Sequence, residues 1–171
     1  VDEALQSFAL DKPRQPLVNV VSYCLMPNHF HILVEQVYDE GVSRFMQKLG
    51  TAYTKYFNKR YDRTGSLFEG PFKAVLVKRD AQLEHLPRYI HLNALDLTNF
   101  EWRDGRVKDW KAASKFLDEY RWSSHPVYSG TQQSLPVVDL RTAHNLFRDP
   151  KQYLAFLKSW SGRHVSRLPE T

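Results

Sequence analysis

Residues 17–37 constrain the fold more than any other part of the chain. Two β-rich runs, 17–25 and 29–37, are separated only by Met26-Pro27-Asn28. A proline and an asparagine in so short a gap are turn formers, so the pair reads as an antiparallel hairpin. Both runs carry apolar residues on both faces, which predicts central strands covered by helices on at least one side. The second run opens with HFH, and strand alternation projects His29 and His31 from one face and Phe30 and Ile32 from the other. Such a pair is a metal-ligand geometry, a stacked polar pair or a coincidence, and the strand alone does not decide.

Around the hairpin the spacing changes. Residues 1–10 read as the end of an amphipathic helix, with Ala4, Leu5, Phe8 and Leu10 apolar, broken by the loop DKPRQP. From Val42 to Tyr61, Val42, Phe45, Met46, Leu49, Tyr53, Tyr56 and Phe57 recur at three- and four-residue steps, predicting a helix with one buried stripe. A turn-rich segment, 61–72, leads to KAVLVKR (73–79), which reads as a further strand. Helical spacing returns over 80–93, with Asp80 as N-cap and Pro87 inside the pattern as a kink or a split. After a polar, loop-like stretch (94–110), the apolar residues Phe116, Leu117, Tyr120, Trp122, Tyr128, Leu146, Phe147, Tyr153, Phe156, Leu157 and Trp160 predict short packed helices. The expected division is a domain over 1–110 with a helical extension over 111–171.

The 171 residues suit one domain with an appendage, and no apolar run approaches the ~18 residues that span a membrane. No secretory signal or lipidation motif is visible. Cys24 is the only cysteine, so an intrachain disulfide is excluded and a reducing, cytoplasmic setting is expected. A net charge of +5 is compatible with a polyanionic partner.

Tyr89 and Asn93 are spaced i, i+4, one above the other on a continuous helix. If that face meets the histidine strand, the site holds two imidazoles, an amide oxygen and a phenol. Three ligands leave positions on a divalent ion for a phosphate oxygen, and the phenol is placed to attack phosphorus. The competing reading of Tyr89 is an ordinary buried phenol, and Tyr53, Tyr56 and Tyr61 are rivals, the first two on the stripe assigned to the core.

Four blocks in order, MPNHFHILV (26–34), RTGSLFEGPFK (63–73), RYIHLN (88–93) and YRWSS (120–124), resemble the single-tyrosine HUH transposases. The long C-terminal part is more similar to the REP-associated tyrosine transposase branch. The resemblance implies an α+β, ferredoxin-like antiparallel sheet with the histidines on a central strand. Its first strand is not evident, and the chain opens at Val1 without a methionine, so preceding sequence and a three-stranded sheet are expected. It also implies a Mg²⁺- or Mn²⁺-dependent nuclease that cuts and rejoins single-stranded DNA near a hairpin. His29, His31 and Asn93 would then be metal ligands and Tyr89 the nucleophile, in a chain expected to act as a monomer. Two departures, Ala94 where relatives carry proline and Pro71 where a basic residue is common, bear on DNA contacts.

With such a site, Arg44, Lys48, Lys55, Arg63, Lys73, Lys78 and Arg79 become candidates for phosphate contacts. Trp102 and Trp110 are candidates for base stacking, whereas Trp122 is expected to pack in the appendage. Glu35 shares the histidine face as a partner of the ligands, and His91 points away from Tyr89 towards solvent or DNA. A non-cutting hairpin-binding relative and a metal-dependent hydrolase of RNA or nucleotides are the alternatives.

Overall fold

The computed structural model describes residues 15–132 and 137–160, so the expected helix over 1–10 lies outside the described residues. The hairpin forms as read. β1 (Val18–Leu25) pairs antiparallel with β2 (Phe30–Gln36), and the Met26 N–H donates to the His29 carbonyl around Pro27 and Asn28. A register irregularity between Val20 and Ser22 leaves Val21 unpaired, and Val20, Val21 and Ser22 are all buried. The bulge thus suspends strict alternation and turns three successive side chains inward.

Among the described residues the sheet has two strands, not the three expected. Residues 73–79 run without a ladder partner, and Val75 and Leu76 are exposed. Alternation in sequence describes a strand's faces but does not supply a neighbour. The outer edge of β1 is taken instead by later chain: Leu25 N–H donates to Trp122 O, Ser124 N–H to Tyr23 O, and Asp139 N–H to Val20 O. These bonds satisfy a backbone edge that would otherwise be an open template.

α1 (Gly41–Arg60) follows β2. A side chain at Gly41 would collide with the Leu17 carbonyl, which fixes a glycine where the helix starts. The expected buried stripe is corrected: only Gly41 of this helix is buried, and Leu49, Tyr53 and Tyr56 are exposed. Tyr53, Phe57, Tyr61 and Phe68 pack on one another rather than into the main core. α2 (Asp80–Leu92) is a single helix with Pro87 buried within it, and Arg79 rather than Asp80 is its N-cap. Asp80 lies in the first turn, where a carboxylate still complements the helix dipole.

Two 3-10 turns (Asn93–Leu97 and Trp102–Asp104) fill the stretch read as loop. Four helices follow: α3 (Trp110–Glu119), α4 (His125–Ser129), α5 (Leu140–Leu146) and α6 (Pro150–Lys158). Asp109 and Asp149 cap α3 and α6 by accepting from Ala112 N–H and Gln152 N–H. One core joins Val21, Cys24 and Leu33 of the sheet to Ile90, Leu92 and Leu95, and these to Trp102, Leu117, Tyr153, Leu157 and Trp160. The chain is α+β, and its second helix is the element shared by the sheet and the C-terminal helices.

Candidate active site

The hairpin end brings the two histidines together. His31 lies on β2 opposite Cys24 and His29 just precedes the strand. Their rings are near perpendicular (86°), with centroids 5.0 Å apart. His29 Nδ1 lies 2.8 Å from Asn28 Oδ1. An amide oxygen only accepts, so the contact puts the proton on Nδ1 and leaves the Nε2 lone pair for a ligand. Burial pushes the His31 pKa down to about 4, helped by the charges of His29 and Arg103 and opposed by Asp96. His31 is therefore neutral near pH 7, the form that binds metal.

α2 delivers Tyr89 to the same place. Its ring meets His31 at 73° with centroids 5.9 Å apart. The residues around Tyr89 fix the rotation of the helix. Ile90 and Leu92 enter the core. Arg88 Nη1 donates to the Phe156 carbonyl (2.8 Å) and to Ser159 Oγ (3.1 Å), with its guanidinium 4.0 Å from the Phe156 ring centroid. His91, fully buried, reaches Tyr153 OH at 2.8 Å and Ser124 Oγ at 2.7 Å. With these neighbours held by the C-terminal helices, the half-buried Tyr89 is left facing the strand.

Asn93 follows the last turn of α2 and is completely buried. Its Nδ2 donates to the Tyr89 carbonyl at 2.8 Å, and its Oδ1 accepts from Arg103 Nη2 at 3.0 Å. A carbonyl only accepts and a guanidinium only donates, so the amide orientation is unambiguous. Arg103 is held in turn by Asp96, through Nε to Oδ1 (3.2 Å) and Nη2 to Oδ2 (2.5 Å). Trp102 Nε1 also donates to Asp96 (2.7 Å), and the guanidinium lies 4.5 Å from the Trp102 ring centroid and 5.9 Å from that of Tyr89.

Among the described residues no group of three or more His, Cys, Asp or Glu is placed to hold a metal ion. An ion held by His29 and His31 would therefore need its remaining protein ligand from another donor type, such as an amide oxygen. Two imidazoles at one strand end, with His31 held neutral by burial, fit such an ion, and Asn93 Oδ1 is engaged by Arg103.

A family model described as "Transposase IS200 like" matches residues 1–93. The chain belongs to the IS200-like transposase family. No curated protein and no solved structure matches it. The segment matched to the IS200-like transposases ends at Asn93, so it includes His29, His31 and Tyr89 and leaves Asp96 and Arg103 outside.

The basic residues of this transposase fall in two places. Arg44, Lys48 and Lys55 are exposed on α1, and Lys48 and Lys55 line one shallow depression with Gln47, Thr51 and Ala52. Arg63 lies 5.5 Å from the Phe57 ring centroid, while Lys73, Lys78 and Arg79 are exposed along the extended segment and at the start of α2. None of these seven forms an ion pair among the described residues.

Several expectations change. His91 faces the core, not solvent or DNA. Trp102 is buried and so is not a stacking platform, whereas Trp122 is exposed, with Arg121 4.8 Å from its ring centroid. Glu35 accepts from Asn19 Nδ2 and Thr142 Oγ1. Sequence reasoning missed Arg103 and Asp96 because they sit in short 3-10 turns with no periodic signal. An acidic residue three positions beyond Asn93 was the available hint. No described helix is long and apolar enough to cross a membrane.

Proposed function

We propose that this transposase cuts and rejoins single-stranded DNA beside a hairpin through a covalent 5′-phosphotyrosine on Tyr89. The observation that carries the reading is the ring contact between Tyr89 and His31, made within one chain between α2 and β2. Attack of the phenolic oxygen on phosphorus breaks the bond to the 3′ oxygen and leaves the 5′ phosphate on Tyr89. Attack by a 3′ hydroxyl reverses the exchange and releases the tyrosine. One phosphoester replaces another, so rejoining needs no external energy source.

A divalent ion on His29 and His31, completed by Asn93 Oδ1, would supply Lewis-acid stabilisation of the phosphate charge. Imidazole ligands suit Mn²⁺ better than Mg²⁺, so Mn²⁺ is expected to support cleavage at least as well. The chain's own residues do the positioning. Arg88 and His91 lock the tyrosine helix, and Asn93 ties its last turn to Arg103. The exposed cations of α1 and of 63–79 supply phosphate contacts along the strand. The helices after residue 110, which hold the tyrosine helix in place, support the REP-associated branch and a monomer with its tyrosine acting in cis.

The test is a denaturing gel of labelled hairpin DNAs incubated with Mn²⁺ and either wild type or Tyr89→Phe. A slow protein–DNA adduct formed by wild type alone is expected. Cleavage retained in Tyr89→Phe would point to a metal-dependent hydrolase. Hairpin binding with neither adduct nor cleavage would point to a non-cutting DNA-binding relative.

A further inference from the structure

Arg103 stands out because the chemistry above gives it no task, yet it is built into the site by several independent contacts. Asp96 alone would neutralise it, through two hydrogen bonds. Its third bond goes to Asn93 Oδ1, and its guanidinium also lies beside the Tyr89 ring. Asn93 Oδ1 is completely buried in the molecule, and an amide binds a metal ion through this oxygen, not through its nitrogen. The nitrogen is in any case spent on the Tyr89 carbonyl.

We propose that Arg103 is a positioning residue that competes with a divalent cation for Asn93 Oδ1. The inference rests on the metal reading above. Both occupants are cations, and an ion bonded to Oδ1 would stand in like-charge contact with a guanidinium hydrogen-bonded to the same atom. Oδ1 has two lone pairs, but the repulsion makes each cation weaken the other's hold, so the arrangement favours one of them yielding. Arg103 is the one able to do so: its side chain is 43 % exposed, and Asp96 retains it as a tether. Arg103 thereby sets how tightly the site takes a metal, holding the affinity below what two imidazoles and an amide would otherwise give. A neighbour that merely oriented Asn93 would do the reverse, because partners that orient a ligand strengthen metal binding.

The experiment is a Mn²⁺ titration of the full chain followed by electron paramagnetic resonance of the unbound ion, without DNA. The proteins are wild type, Arg103→Met, Arg103→Gln, Arg103→Lys, His31→Ala, Asn93→Ala and the Asn93→Ala/Arg103→Met pair. Arg103→Met keeps a stem over Trp102 and loses the charge; Arg103→Gln is a second neutral variant should the first fail to melt cooperatively. The neutral variants are expected to bind Mn²⁺ about tenfold tighter, the scale on which outer neighbours tune metal sites. Arg103→Lys should remain close to wild type, and the gain should vanish when Asn93 is already alanine. Unchanged or weaker binding in both neutral variants, with wild type binding Mn²⁺ and His31→Ala not, overturns the competition and leaves the metal reading standing. A gain that survives in the Asn93→Ala background also overturns it, since the effect would then not pass through Oδ1. No His31-dependent Mn²⁺ binding in any protein overturns the metal reading and this inference with it.

Discussion

His31 and Tyr89 meet edge to face, 5.9 Å between ring centroids, inside a single chain. The contact depends on a helix held on both flanks of the tyrosine, by Arg88 to the C-terminal end of α6 and by His91 to Tyr153 and Ser124. A tyrosine locked this way is expected to serve its own histidines. Mixing His31→Ala with Tyr89→Phe should therefore give no covalent DNA adduct, each chain lacking half of its own site. Adduct restored by mixing, on the same denaturing gel, would show that the tyrosine crosses between chains.

The anchor of that helix is a buried polar network. Tyr153 OH lies 2.8 Å from Nδ1 of both His91 and His125, and His125 Nε2 lies 3.2 Å from Asp118 Oδ1. Tyr153→Phe keeps the ring and removes the hydroxyl, leaving two buried imidazole nitrogens without that partner. A loss of about 2 kcal/mol is expected, and about 3 kcal/mol or more for His91→Ala, which also empties volume. Urea unfolding measures both. A loss under about 0.5 kcal/mol in Tyr153→Phe, within the range of an ordinary surface change, would show that the network is not an anchor.

Local patterns in the chain reach a definite depth. The hairpin, both long helices and the helical C-terminal part are legible because turn residues and apolar periods act over a few positions. What covers a face is not. The stripe on α1 has helical spacing, yet it lies mostly exposed, because periodicity reports an apolar face and not its neighbour. His91 does point away from Tyr89, as two steps around a helix require. However, "away" leads into the C-terminal helices rather than to solvent, a fact set by distant residues such as Tyr153. Residues 73–79 alternate like a strand and find no ladder partner among the described residues. Within the site, the histidines and tyrosine are legible through their spacing. Arg103 is not, because only the fold brings it to Asn93.

Acid should weaken this fold before any carboxylate is fully protonated. Burial, with the nearby charge of His125, holds the His91 pKa well below its ordinary value, and burial brings that of His31 to about 4. For both, the folded state refuses a proton that the unfolded chain accepts near pH 6.5, so stability is full above that value and falls as pH drops towards 4. The melting temperature is expected to decline steadily from pH 7 to pH 4.5, and less steeply in His91→Asn. A flat profile over that range would contradict buried neutral histidines.

The cations of α1 make a quantitative prediction about DNA. Lys48 and Lys55 are exposed, line the same depression, and form no ion pair among the described residues. Replacing both with glutamine should therefore change folding stability by less than about 0.5 kcal/mol. If they contact phosphates, each removes one counterion-releasing contact, worth about 0.7 in the slope of log affinity against log salt for a single strand. The double variant should then bind a hairpin with single-stranded flanks roughly tenfold more weakly at low salt, with the slope smaller by about 1.4. The loss should be the same for unrelated flank sequences, because phosphate contacts carry no base information. An unchanged slope in fluorescence anisotropy titrations across salt would remove this face of α1 from the DNA path and shift the assignment to Arg63, Lys73, Lys78 and Arg79.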